Sequence, residues 1–72
     1  MEKDLELSLR QNMPLEIIYV SNKNMYTKRR ILVKGYDKQF IRAYCFTRKM
    51  YRSFKRERIL SAQIIYTNRY TS

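Results

Sequence analysis

Seventy-two residues make one small domain at most, and a chain of that size buries only about 60% of the surface its unfolded form exposes. Hydrophobic residues at 44% and aromatics at 14% exclude a disordered tail, while the absence of His, the single Cys45 and apolar runs of at most four residues exclude imidazole triads, Cys-rich zinc sites, internal disulfides and membrane-spanning helices. Sixteen Lys and Arg against six Asp and Glu give a net charge of +10, split unevenly: the first six residues are net −2 and residues 7–72 net +12.

The acidic N-terminus has no apolar stretch of the kind a secretory signal carries. With one unpaired Cys, the chain is expected in a reducing, cytoplasmic setting without membrane attachment.

In chain order, residues 1–12 come first. Leu5 and Leu9 fit a helical stripe, and Leu5, Leu7 and Leu9 also fit strict alternation. The charges favour a short helix: Glu2, Asp4 and Glu6 lie at the positive end of its dipole, Arg10 near the negative end, and Asp4 can cap it. Pro14 holds Met13 extended, so the helix stops by about Asn12. At this length it needs an apolar surface to dock on.

Strand patterns follow. Residues 15–21 (LEIIYVS) are β-branched and aromatic, and Asn22, Lys23 and Asn24 supply a turn. Further strands are expected over 26–34, 40–45, 50–55 and 59–66, with turns at 35–38, at 47–48 and at the charged corner Arg56, Glu57 and Arg58. The last six residues, 67–72, read as a polar tail. The expected organisation is a helix and lead-in over 1–13, five strands over 14–66, and the tail. An all-β fold with one short helix results, and closing the five strands into a small barrel would remove sticky edges. With one Gly and one Pro, the corners must rely on Asn, Asp and bulges.

Arg and Lys interleave with Tyr and Phe throughout 26–58, including Tyr26, Lys28, Arg29, Arg30, Arg42, Tyr44, Tyr51, Arg52 and Phe54. Guanidinium groups bind phosphates bidentately, and aromatic faces stack on unpaired bases. Alternation puts Phe40, Arg42 and Tyr44 on one face of their strand and Ile41, Ala43 and Cys45 on the other, while Met50, Arg52 and Phe54 share a face. Exposed bases are usually solubilising, but only three acids follow residue 6, so most of these cations lack an internal carboxylate. The excess points to a polyanion. Glu57, between two Arg residues, is expected to form a local ion pair. Carboxylates are not paired for acid–base work, no Gly-rich phosphate loop exists, and Cys45 has no His to activate it. No catalytic residue, metal site or cofactor is expected.

Laid end to end, these segments resemble the WYL domain family. Gln39-Phe40-Ile41 falls at the signature tripeptide, with Gln39 where its Trp is expected, and Arg42-Ala43-Tyr44-Cys45 resembles the continuation. Residues 51–59 (YRSFKRERI) resemble the family's Arg-x-Phe-x-x-Asp-Arg-Ile run, with Glu57 for Asp; residues 15–19 and 27–31 resemble its first two strands. The resemblance implies an Sm-like or SH3-like five-stranded barrel, here free-standing and of bacterial or prophage type, of the kind found in transcriptional regulators. It also implies a non-enzymatic module that binds single-stranded nucleic acid or a nucleotide-like anion through a basic and aromatic pocket. The positions that match are Tyr19, Arg30, Tyr44, Arg52 and Arg58. The alternative from the same sequence is an assembly module, as a homodimer or with a protein partner, because a thin core gains from added buried surface.

Overall fold

The fold is taken from a computed structural model, which describes residues 1–66; the expected polar tail over 67–72 lies outside the described residues. Helix α1 (Glu2–Gln11) precedes five strands, β1 (Leu15–Val20), β2 (Tyr26–Tyr36), β3 (Phe40–Cys45), β4 (Met50–Lys55) and β5 (Ile59–Ile64), with a 3-10 turn over Arg56–Arg58. Asp4 does not cap the helix as expected. It lies inside the first turn, where it faces the dipole, and the cap position is Met1 without a side-chain bond. Asn12 ends α1 in the left-handed region at φ 54°, a conformation Asn tolerates, and Pro14 follows two residues later.

All neighbouring strands are antiparallel, in the order β4-β3-β2-β1-β5. One face carries the core: Leu15 and Ile17 of β1, Ile31 and Val33 of β2, Ile41, Ala43 and Cys45 of β3, Phe54 of β4, and Ile59 and Ile64 of β5, joined by Leu5 of the helix. The β2 strand runs two residues beyond its expected end because a bulge between Val33 and Gly35 shifts its register. That shift places Tyr36 opposite Ile41, on the inner side. Asn24 and Lys49 take positive φ at the β1–β2 and β3–β4 turns, and Asp37 turns β2 into β3 by accepting the backbone N–H groups of Gln39 and Phe40.

The closed barrel of the sequence reading is only partly realised. Flat, β4 and β5 would lie four strand spacings apart, about 19 Å, yet the four Cα steps from Lys55 to Ile59 reach at most about 14 Å. The sheet therefore curls. Tyr19 of β1 and Phe54 of β4, two strands removed, meet with ring centroids 5.2 Å apart, and the Lys55 N–H donates to the Tyr19 hydroxyl at 3.3 Å. Curl is not closure. Among the described residues no ladder joins β4 to β5, so both remain edges.

Helix α1 covers the inner face at two levels. In the core, the buried Ser8 hydroxyl accepts the Val33 N–H at 3.1 Å, beside the bulge where the ladder is interrupted. At the rim, Tyr36 donates to Glu6 at 2.5 Å, Glu6 also pairs with Arg10, and Arg56 bridges Glu2 and the Asp37 carbonyl, each at 2.7 Å. Among the described residues Glu57 makes no ion pair; the expected local bridge is replaced by Arg56 reaching α1, while Glu57 on the 3-10 turn is exposed.

Two outcomes follow. Ser8→Ala leaves a buried amide without an acceptor, and its unfolding free energy in urea should fall by about 1–3 kcal/mol. The hydrogen bond from Tyr36, aided by Arg10, holds the Glu6 carboxyl below its ordinary value of 4.5. Its stabilisation is complete above that value and lost as pH falls through the lowered one. Asp37 is held low as well, by the N–H groups of Phe40 and Gln39, so the two residues share the acid limb. Thermal melts of Glu6→Gln across this range should decline less steeply with acid than those of the native chain.

Candidate anion-binding pocket

Alternation along β2 that buries Ile31 and Val33 also turns Arg29 inward. Arg29 is only 9% exposed. Its Nε donates to the Thr27 hydroxyl at 3.3 Å, and its guanidinium carbon lies 5.8 Å from the ring centres of both Tyr19 and Phe54. Among the described residues the buried Nη1 has no hydrogen-bond partner and no carboxylate pairs with the group. Two aromatic faces offset part of the cost of burying this cation, about 0.5–2 kcal/mol each. An unpaired ion removed from water loses several kcal/mol, so the rings leave a deficit that an anion can fill.

Arg52, opposite Ala43 on β4, lies on the same inner face, with its guanidinium carbon also 5.8 Å from the Phe54 ring centre. Arg58 approaches from the corner before β5, its Nη1 donating to the carbonyls of Ser21 at 3.1 Å and Val20 at 3.4 Å. These two bonds fix one edge of the guanidinium against the end of β1. Together Tyr19, Ser21, Asn22, Arg29, Phe40, Arg52, Ser53, Lys55 and Arg58 line a hollow of about 340 Å³ at the β1–β4 rim. Four of the nine are cations and none is an acid. Curl of the sheet creates this hollow, since it brings the ends of β1 and β4 to the same place.

Of the five positions named from sequence, Tyr19, Arg52 and Arg58 meet in this hollow. Arg30 and Tyr44 do not. Arg30 follows the inward Arg29 and so points outward, opposite Glu16 on β1; Tyr44 alternates with the buried Ala43 and Cys45 and packs on the outer face against Phe46 and Tyr51. Arg29, grouped in sequence with the interleaved bases, is not among the positions chosen there for the pocket. The period-two run Arg29, Ile31, Val33 carried the signal: a cation in phase with core residues.

Compared with known protein families and with curated proteins, the chain matches no family model and no curated sequence.

Proposed function

We propose that the protein is a non-enzymatic binding module for single-stranded nucleic acid or a nucleotide-like anion, held in the pocket of Tyr19, Arg29, Arg52 and Arg58. The observation that carries this reading is the buried Arg29, with Nη1 unpartnered, in the wall of a hollow lined by three further cations and no carboxylate. A phosphate there relieves the burial cost of Arg29 and the mutual repulsion of the group, and guanidinium forks match its oxygens. Tyr19 offers a ring beside those cations for a base. Resemblance to the WYL family supports the same ligand class, the nucleic-acid setting of bacterial regulators and the Sm-like barrel. In that reading the Tyr19–Lys55 bond, from β1 to β4, holds the curl that a β4–β5 ladder would complete.

Binding of labelled oligo-dT, titrated at several salt concentrations, tests the reading. For about three phosphate contacts the affinity should fall by about 2 log units per decade of salt, at about 0.7 per contact. Arg29→Met should lower affinity at least about tenfold, because it removes a desolvated partner of the anion. The same change should leave the melting temperature of the free protein unchanged or raised, since replacing a buried unpaired charge with an apolar side chain removes a desolvation cost. No binding at low salt, or an Arg29→Met protein that binds like the native one, overturns the reading.

A second reading, an assembly module, draws on the two unpaired edge strands and on the exposed Met50, Tyr51 and Leu60 along them. Pairing of a β4 or β5 edge with another chain would satisfy its open backbone groups. Light scattering over a hundredfold concentration range should then give a mass that rises toward a dimer; a constant monomer mass removes this reading.

A further inference from the structure

Three rings stand together on the outer face near the β4 edge. Tyr44 meets Phe46 edge-on with centroids 5.3 Å apart and Tyr51 likewise at 5.1 Å. Tyr51 is 70% exposed and Phe46 41%. Cations flank the rings on both sides. Beside Phe46 lies a hollow of about 330 Å³ lined by Lys28 and Arg30, with Glu16 and Thr47. Beside Tyr51 lies another of about 330 Å³, lined by Lys34 and Arg42 and also by Ala43, Arg52 and Ser53. The register spaces these features evenly: the Tyr44–Tyr51 pair stands two residues, about 7 Å, from the Arg42–Ser53 pair.

Arg52 and Ser53 also line the inner pocket. Inner pocket and outer hollow therefore meet around β4, which is an edge strand among the described residues. An aromatic cluster between two pairs of cations suits an extended polyanion that bears flat, unpaired rings of its own. A duplex keeps its base faces stacked inside. An acidic peptide uses the cations but leaves Tyr51 and Phe46 without matching partners. Glu16 is the one acid lining either outer hollow.

We infer that a single strand of nucleic acid seated in the pocket passes over the β4 edge and stacks bases on Tyr51 and Phe46, while Lys34, Arg42, Lys28 and Arg30 hold its phosphates. This path rests on the pocket reading for where the strand begins. It assigns the outer face a role separate from Arg29.

The experiment measures fluorescence anisotropy of two- and twelve-nucleotide oligo-dT and oligo-U with the native chain, Tyr51→Ala, Phe46→Ala, Arg42→Gln and Arg29→Met. The two nucleic acids separate DNA from RNA as the source of the same chemistry. All three outer-face positions are exposed, and circular dichroism checks that each variant stays folded. In at least one of the two nucleic acids, the twelve-mer should bind more tightly than the dimer. Tyr51→Ala and Phe46→Ala should each weaken the twelve-mer about tenfold, the effect of one stacked base, and leave the dimer unchanged. Arg42→Gln should reduce the twelve-mer's salt slope by about 0.7. Twelve-mers of both kinds indifferent to the ring substitutions overturn the inference, as does a duplex or polyglutamate whose binding depends equally on Tyr51. Loss on Tyr51→Ala with none on Arg29→Met removes the pocket reading and keeps the outer face. Loss on Arg29→Met alone does the reverse.

Discussion

Three residues, Arg56 to Arg58, carry the chain from one edge of a five-stranded sheet to the other. A flat sheet cannot accommodate so short a link, so the strands bend until the end of β4 lies near the start of β5. Most of the fold follows from that bend. It makes the inner face concave, gives α1 a trough to fill, and lets Tyr19 and Phe54 touch across two intervening strands. Arg58 sits within the link itself and ties it to the end of β1 through the carbonyls of Val20 and Ser21. The same corner thus shapes the sheet and supplies one wall of the pocket.

Inside the bend, two demands compete for the inner face. The core needs apolar side chains, and from Leu15 to Ile64 nearly every inward position supplies one. Arg29 breaks the run. Its burial between two rings lowers stability relative to an aliphatic residue of similar size, and a small chain has little margin to spend. Arg29 sits at the rim rather than at the centre of the sheet, and there its guanidinium borders a hollow that Arg52, Arg58 and Lys55 also line. Charge alone would not define a site, since this chain is basic almost everywhere. Charge withdrawn from water and left unpaired among the described residues is what the proposed site rests on.

Much of the architecture was legible in the sequence. Strand patterns located all five strands, the ends of β3 and β4 to the residue, because alternation from Phe40 to Cys45 and from Met50 to Lys55 is unbroken by bulges. Errors cluster where regularity fails. The bulge beside Lys34 lengthens β2 to Tyr36, and Gly35, read as the start of a turn, marks that bulge inside the strand. Of the expected barrel the described strands show the curl but no closing ladder, because a tendency to hide edges does not dictate how far a sheet will curl. In the pocket, alternation was applied to β3 and β4 but not to β2. Arg30, chosen by family position rather than by phase, lies on the outer face, while Arg29, in step with Ile31 and Val33, is grouped with the interleaved bases and not singled out for the pocket. Tyr44 illustrates the same point from the other side, for its neighbours Ala43 and Cys45 already declared it outward.

The helix is fastened to the sheet by two locks of different chemistry. Glu2 and Glu6 hold the rim through Arg56 and Tyr36, and the Glu6 contact answers to the proton, whereas the hydroxyl of Ser8, sealed in the core, has no charge to lose. Acid can unlatch the first without touching the second. Acid strong enough to pass below the ordinary carboxylate range should accordingly loosen the Glu6–Tyr36 corner first, while the helix stays seated at Ser8 over an intact core.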